Sequence, residues 1–166
     1  LTPKLSPVEN DFTEQSAFWL LLKKESDIVG GVGARLDCLE NEPVDRYWRR
    51  TYARQYPSPK GETIGRVSKA LVEQVSGRLV YTGDLFVAPQ VSRNIRITRL
   101  FVLTLFSVIR TKWHFDWIYA FVRDRDLARG AAYHYGFTYQ VPWALEWLDP
   151  PSNRGNNECF VGVRRK

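Results

Sequence analysis

The stretch LFVAPQVSRNIRITRLFVLTLF, residues 85–106, decides the fold. It begins in an apolar segment, Leu79 to Ala88, that predicts a strand, and Pro89 stops that strand. A helix is predicted from residue 94 to residue 112 because apolar side chains recur there at helical spacing. Those side chains are Ile97, Phe101, Leu105 and Ile109. Residues 115–122 then form a nearly continuous apolar strand, so the sequence predicts a crossover between two parallel strands.

Antiparallel hairpins are predicted on both sides of this crossover. On the N-terminal side, strands at Ala17 to Lys24 and Ile28 to Leu39 are joined by a short polar turn. The C-terminal side has an extended segment over 137–148 and a strand over 158–164. Three further helices are predicted, over 44–55, 63–75 and 124–135. The sequence therefore predicts an α/β fold with a mixed central sheet of about six to seven strands and helices on both faces.

The domain organisation follows from the distribution of these elements. Residues 1–16 contain two prolines and a polar run, which predicts a leader or loop, and residues 17–166 are predicted to form a single domain. Hydrophobic residues make up 44% of the chain, which excludes a disordered protein. The net charge of +6 fits an anionic ligand such as a nucleotide cofactor, and it also fits nucleic acid.

Cysteine and histidine usage gives no sign of a metal site. Cys38 and Cys159 lie far apart and are predicted to be free thiols, and His114 and His134 lack the companions of a zinc site. No apolar run is long enough to cross a bilayer and no signal peptide is visible, so we expect a cytoplasmic protein. The chain begins at Leu1 and contains no Met, which suggests a piece of a longer protein.

Two segments resemble the GNAT superfamily of acyl-CoA-dependent N-acetyltransferases. Residues 85–106 are similar to the family's strand, phosphate loop and long helix, and residues 125–137 (RDLARGAAYHYGF) are similar to its later helix ending in Gly-Phe. The matching residues are Val87, Pro89 and Arg93 in the first segment and Ala128, Gly136 and Phe137 in the second. Their order and spacing carry the resemblance, which covers roughly residues 17–164.

The resemblance implies a binding site for acetyl-CoA or another acyl-CoA. The strand at Leu85, Phe86 and Val87 is expected to splay from its parallel neighbour and to bind the pantetheine arm. The pyrophosphate is expected on the following loop and helix start, where backbone N–H groups and the helix dipole meet it. The residues of that loop are Arg93, Asn94, Ile95, Arg96, Ile97 and Thr98.

This loop departs from the family pattern. The two glycine positions hold Arg96 and Thr98, and Asn94 stands where glycine is also common. Glycine is used there because the backbone must come close to the phosphates. The side chain of Arg96 either crowds the phosphates or binds them through its guanidinium group, and the sequence leaves both outcomes open.

The candidate catalytic residues are Tyr133 and Asp84. The family's thiolate-protonating tyrosine falls on Ala132, so Tyr133 takes that role only if the helix is shifted by one residue, and is otherwise a packed aromatic. Asp84 interrupts the strand near the expected split. Its side chain acts as a base, orients the acceptor, or is simply a strand residue that faces solvent. Glu146 and Glu158 are second candidates for the acceptor side.

Three functions remain open at this point. The first is an N-acyltransferase that acts on a small-molecule or peptide amine. The second is an enzyme similar to acyl-homoserine-lactone synthases, suggested by the Gly-x-Arg-Leu stretch within residues 29–36. The third is a non-catalytic domain that binds a partner or nucleic acid through a basic helix face, formed by Arg46, Arg50 and Arg54. The sequence does not decide between a monomer and a homodimer.

Overall fold

A computed structural model describes residues 1–59 and 61–165. The strands in these residues are β1 (Ala17–Lys24), β2 (Asp27–Cys38), β3 (Ile64–Val67), β4 (Arg78–Val87), β5 (Trp117–Arg123), β6 (Tyr139–Val141), β7 (Leu145–Trp147) and β8 (Glu158–Arg164). The helices are α1 (Val44–Gln55), α2 (Lys69–Gln74), α3 (Pro89–Ser92), α4 (Ile95–Lys112), α5 (Asp124–Ala128) and α6 (Ala131–Tyr135). No helix in these residues is long and apolar enough to span a membrane.

Six strands form one mixed sheet in the order β1-β2-β4-β5-β8-β6. The central pair, β4 and β5, is parallel and is connected through α3 and α4, whereas every other neighbouring pair in this sheet is antiparallel. The mixed sheet and the parallel crossover predicted from residues 79–122 are therefore confirmed. Strands β3 and β7 form a separate two-stranded sheet.

Both faces of the sheet are covered, and the alternation of side chains along β5 shows how. Ile118 points into one core with Val80 and Leu105 of α4, while its neighbour Tyr119 points into the other core with Trp48 of α1. This two-residue period divides the buried side chains into two clusters on opposite faces. We refer to them as the α4 face and the α1 face.

One predicted helix is wrong. Residues 63–75 contain apolar side chains at helical spacing, but Ile64–Val67 is the strand β3, and helix α2 covers only Lys69–Gln74. Ile64 pairs with Trp147 and Val67 pairs with Leu145. A spacing of three residues over so short a segment fits a strand as well as a helix, and the pairing with β7 decides for the strand.

The helix predicted over residues 124–135 is interrupted. Gly130 has φ +82°, a left-handed conformation that ends α5 and lets α6 begin in a new direction. Gly136 has φ +81° and ends α6, as predicted from the sequence. The break at Gly130 changes which side chains of this segment face the sheet.

The N-terminal segment, predicted to be a leader or loop, is irregular but packs into the domain. Leu5 is fully buried against Gly33 of β2, where a Cβ atom would lie only 2.8 Å from a Leu5 methyl carbon. Gly33 is therefore a point where the backbone of β2 and the Leu5 side chain approach closely. The segment covers the α1 face next to the central strands.

Lys4 is the most unusual residue of this segment because its ammonium group is buried. Its Nζ donates a hydrogen bond of 2.9 Å to the hydroxyl of Tyr119 and lies 3.8 Å from a carboxylate oxygen of Asp37. Four tyrosine rings surround Nζ with centroids between 4.8 and 5.5 Å away: Tyr47, Tyr52, Tyr81 and Tyr119. Burial lowers the pKa of Lys4 from 10.5 to about 7, although the negative charge of Asp37 opposes this shift.

Candidate functional site

The central strands β4 and β5 pair over only three residues and then separate. The paired residues are Leu79 to Tyr81 on β4 and Trp117 to Tyr119 on β5. Beyond them the hydroxyl of Thr82 donates a 3.2 Å hydrogen bond to the Tyr119 carbonyl, and no further ladder pair forms. Both strands continue, β4 to Val87 and β5 to Arg123. The sheet therefore contains a gap, with main-chain groups of β4 facing it unpaired.

A β-bulge accounts for this gap. Along the β2–β4 pairing, Gly31 is opposite Phe86 and Gly33 is opposite Gly83, so Asp84 and Leu85 share one partner position. Asp84 has φ +55°, in the left-handed region. A bulge of this kind increases the local twist and bends its strand, which turns the end of β4 away from β5.

The gap opens into a cleft of about 520 Å³. Its walls come from β4, β5, the start of α4, helices α5 and α6, and the loop before β8. The side chains that matter below are Asp84, Tyr135, Arg154 and Glu158, and all four line the cleft. The cleft thus brings together residues that lie far apart in the sequence, from Asp84 to Glu158.

Two of the carboxylates that line the cleft, Asp84 and Glu158, lie in different environments. Asp84 lies in the bulge, and its Oδ2 accepts hydrogen bonds of 2.8 Å from the Thr2 backbone N–H and 3.3 Å from the Thr2 hydroxyl. Glu158, at the start of β8, is only 5% exposed, and burial raises its pKa, although the charge of Arg154 opposes that shift. Glu146 is exposed and accepts a bond from the Arg66 backbone, away from the cleft.

Arg154 is buried beside Glu158. Its guanidinium group lies 5.3 to 5.9 Å from the ring centroids of Tyr52, Phe121 and Trp147, and its Nη2 is 3.2 Å from Glu158 Oε2. Glu158 Oε2 also accepts a hydrogen bond of 3.3 Å from the indole of Trp147. A guanidinium group in such an aromatic box is held in position on several sides.

Tyr133 and Tyr135 are placed differently relative to the cleft. Tyr133 is 73% exposed, so the side chain predicted as the acid lies at the surface outside the cleft. Ala132, the position that the resemblance implies for this tyrosine, is buried in the core of the α4 face. Tyr135 is half-buried and lines the cleft, and burial, followed by the charge of Asp126, raises its pKa. The break at Gly130 explains this placement, because it rotates α6 relative to α5.

The loop predicted to hold the pyrophosphate lies at the other side of the cleft. Of its six residues, Ile95 lines the cleft and Thr98 is buried. Asn94 is the N-cap of α4, and its side-chain oxygen accepts a 3.1 Å hydrogen bond from the Arg96 backbone N–H. Arg93 and Arg96 are exposed, and neither forms an ion pair with another described residue. Leu85 is the member of the predicted pantetheine strand that lines the cleft; Phe86 and Val87 follow it along the unpaired end of β4.

The arginines of the basic helix face and of the Gly-x-Arg-Leu stretch lie outside the cleft, and some of their charges are paired with acidic side chains. Arg50 of the basic helix face pairs with Glu42 at 2.7 Å, and Arg54 donates a 3.1 Å hydrogen bond to the Asn10 side chain. Arg35, in the Gly-x-Arg-Leu stretch, is bound to Asp37 at 2.7 Å and to Asn10. These contacts give the arginines structural partners and place none of them in the cleft.

The residues that the sequence did not single out are Tyr135 and Arg154. Arg154 lies in a Pro/Gly/Asn-rich loop, where an arginine is ordinarily exposed. The burial of Arg154 could have been suspected only from the apolar and aromatic residues on both sides of that loop, which indicate that the loop packs on the core. Tyr135 was visible in the motif, but its orientation depends on the conformation of Gly130.

Solved structures of acyltransferases have the same architecture. The chain is similar to an agmatine N-acetyltransferase, with a TM-score of 0.58 and 14% identity over 89% of this chain and 76% of the other. It is similar to Arabidopsis thaliana NAA60 in complex with acetyl-CoA, with a TM-score of 0.53 and 10% identity over 90% and 76%.

A third similar structure is FeeM, an N-acyl amino acid synthase from uncultured soil microbes, with a TM-score of 0.50 and 15% identity over 90% and 67%. No known protein-family model matches this chain, and no curated protein matches its sequence. At these identities the similarity concerns the fold. The mixed six-stranded sheet with its helices agrees with the GNAT fold of these acyltransferases, and this chain has that fold.

Proposed function

We propose that this protein is an acyl-CoA-dependent N-acyltransferase that acts on an amine acceptor. The observation that carries the proposal is the gap between β4 and β5, which leaves backbone groups of β4 unpaired at the wall of a 520 Å³ cleft. An extended ligand arm binds such an edge as an added strand would. Acyl-CoA has such an arm, and its thioester supplies an activated acyl group when it is bound.

The unpaired backbone of β4 has two roles in this proposal. Carbonyl and N–H groups over Thr82 to Val87 bind the arm, and one N–H in this segment faces the carbonyl oxygen that gains charge as the amine attacks. Preorganised N–H donors stabilise that charge without rearranging. Leu85 lines the cleft, which supports this role for the bulged part of β4.

Glu158 and Tyr135 divide the proton transfers in this proposal. Glu158 is buried and its raised pKa makes it a stronger base than an ordinary carboxylate, so it takes the proton of the attacking amine. Tyr135 is protonated at neutral pH, as an ordinary tyrosine is, and burial raises its pKa further, so the hydroxyl carries the proton that it gives to the leaving thiolate. Asp84 lines the same cleft and, through Thr2, holds the N-terminal segment against the bulge.

Replacing Tyr135 with Phe tests the acid. We expect kcat to fall by about 10²-fold, the lower end of the range for general acid catalysis, since a thiolate is a good leaving group. Tyr133→Phe is the matched control, because Tyr133 lies on the same short helix but is exposed outside the cleft. Steady-state release of the free thiol measures both rates. Equal rates for Tyr135→Phe and the parent would remove Tyr135 from the mechanism.

Replacing Arg96 with Ala tests how the phosphate groups are held. Arg96 is exposed and without an ion pair among the described residues, so we expect its guanidinium to bind phosphate and the variant to bind acetyl-CoA about 10-fold more weakly. Arg110→Ala, at the other end of α4, is the control. Isothermal calorimetry measures the affinity. Unchanged or tighter binding would show that the Arg96 side chain only crowds the site.

The proposed function itself is tested by titrating the protein with acetyl-CoA and octanoyl-CoA by calorimetry. Saturable binding of either one, with thiol release when amines are added, is the expected result. Absence of binding at millimolar cofactor would overturn the proposal. The two cofactors also report on the length of the acyl group, since a cleft that accepts octanoyl-CoA must extend beyond the thioester.

A non-catalytic binding domain is the second candidate, and one observation favours it. The Arg96 backbone N–H is already bonded to the Asn94 side chain, so a phosphate must share or displace that cap. A domain that had lost its cofactor would keep such a cap. The same calorimetric titration separates the two functions.

We also propose that the protein acts in the cytoplasm. Cys38 is exposed and Cys159 is buried, and both are free thiols, as predicted. Unpaired cysteines are usual in reducing compartments.

A further inference from the structure

Arg154 has more hydrogen-bond donors than the described residues satisfy. Its side chain is only 7% exposed, yet Nε and Nη2 are buried without a hydrogen bond from the described part of the chain. Its ion pair with Glu158, at 3.2 Å, does not have hydrogen-bond geometry at Nη2. A buried donor that is left unpaired is costly, and a guanidinium group has five donors in a fixed planar arrangement.

The position of the guanidinium group indicates where its ligand lies. Arg154 lines the cleft, and the rings of Tyr52, Phe121 and Trp147 hold its guanidinium group on several sides. Tyr52 and Trp147 belong to the α1 face, whereas helix α4, which follows the candidate phosphate loop, packs on the opposite face. We infer that Arg154 lies at the end of the cleft away from that loop, which in the proposed reaction is the end left for the acceptor.

The charges at this end of the cleft favour one kind of anion. Glu158 lies between the positive charges of Arg154 and Arg123, so the three side chains together leave one net positive charge. That charge matches a single carboxylate better than a phosphate dianion, and a carboxylate also fits the planar guanidinium of Arg154 with two parallel hydrogen bonds. Both polar contacts of the Glu158 carboxylate, with Trp147 and with Arg154, use Oε2. Among the described residues, none donates a hydrogen bond to Oε1. Oε1 thus remains free to accept a proton from an amine.

We propose that the acceptor is an α-amino acid, whose carboxylate binds Arg154 and whose amine faces Glu158. The positive charge of Arg154 and the negative charge of Glu158 are complementary to the carboxylate and the ammonium group of an amino acid. The reaction balances: Glu158 takes one proton from the bound ammonium, the free amine nitrogen forms a bond to the acyl carbon, and the carbon–sulfur bond breaks. The nitrogen then loses its second proton, which balances the proton that the leaving thiolate receives from Tyr135. This inference rests on the proposed acyl transfer, of which it specifies the acceptor.

Matched acceptors test the proposal. Phenylalanine, phenylalaninamide and phenethylamine share one side chain, and only the first has a carboxylate. We expect the parent protein to show a kcat/KM at least about 10-fold higher for phenylalanine than for the amide, as a bidentate charged contact gives. Arg154→Met is expected to bring this ratio close to one. Arg154→Lys, which keeps the charge but loses the planar arrangement, should give an intermediate ratio.

Arg164→Met is the control variant, because Arg164 also lies over a tryptophan ring but is outside the cleft. It is expected to keep the parent ratio. A parent protein that uses the amide or the amine as well as the amino acid would overturn the inference, as would an equal loss for all three acceptors in Arg154→Met and Arg154→Lys. Thermal melts verify that each variant is folded.

The outcome is separate from that of the proposed function. Binding of acetyl-CoA without transfer to any acceptor still allows calorimetric titration of the three acceptors into the protein. Binding of phenylalanine alone, lost in Arg154→Met, would support the amino-acid site. Equal binding of all three, or no binding of phenylalanine, would overturn it. Absence of acetyl-CoA binding contradicts the proposed acyltransferase function, whatever the titrations with the three acceptors show.

Discussion

Glu158→Gln is expected to lower kcat by about 10²–10⁴-fold, the range observed for the loss of a general base. The amide keeps the size of the side chain and an oxygen to accept the hydrogen bond from the Trp147 indole, but it cannot take a proton from the amine. The expected loss therefore reflects proton transfer, with little change in packing. Steady-state thiol release with a saturating acceptor measures it.

The pH dependence distinguishes this role from a structural one. The base is active when deprotonated, so the rate of the parent protein rises as pH increases through the pKa of Glu158, which burial raises above its usual range. Glu158→Gln is expected to lose this rise. Glu146→Gln is the control, because Glu146 is exposed and lies outside the cleft. An unchanged rate and pH profile in Glu158→Gln would contradict the assignment.

The second large effect concerns stability and comes from Lys4. Because burial lowers the pKa of Lys4 from 10.5 to about 7, the unfolded chain binds a proton that the folded chain has released between these two values. The free energy of unfolding therefore rises with pH in this window, by about 1.4 kcal/mol per pH unit for one proton. From about pH 7 to pH 9.5, below the ordinary pKa of tyrosine, the expected gain is about 3 kcal/mol.

Lys4→Met removes this dependence. Above about pH 7 the variant is expected to lose the rise in the free energy of unfolding, because an apolar chain of similar length occupies the tyrosine box without a titrating group. Asp37 keeps its 2.7 Å contact with Arg35 in the variant. Urea unfolding at several pH values gives the free energy of unfolding of the parent and of the variant. The contributions of the other titrating groups are common to both proteins and cancel in the difference.

Lys24→Met serves as the control, since Lys24 is exposed at the end of β1 and its replacement leaves the pH slope unchanged. Parallel stability curves for the parent and Lys4→Met would show that Lys4 keeps an ordinary pKa in the folded protein.

The sequence was sufficient where long apolar patterns specify an element. The run around Phe101 and Leu105 identifies a helix buried on a sheet, and the apolar strand after it fixes a parallel crossover, from which the mixed sheet follows. Short segments were not decided by their pattern. Ile64 and Val67 fit a helix as well as a strand, and only the distant partner segment Leu145–Trp147 makes them a strand.

The site was less predictable because it depends on backbone conformations and on contacts between distant residues. Asp84 could be proposed from the sequence, but its left-handed φ and the bulge that opens the sheet could not. Tyr135 rather than Tyr133 lines the cleft because of the turn at Gly130. Arg154 is buried because its loop folds over aromatic side chains from three different elements.

The way the two halves of the sheet are joined affects how wide the cleft can become. Past Tyr81 and Tyr119 the ladder bonds of each central strand lie on its outer side, β4 to β2 and β5 to β8, and the Thr82 hydroxyl adds one bond across the gap. A small twist about the three shared pairs widens or narrows the opening while every ladder bond stays intact. If the proposed acyl transfer is correct, we expect the fold by itself to set only a weak limit on the size of the acyl group.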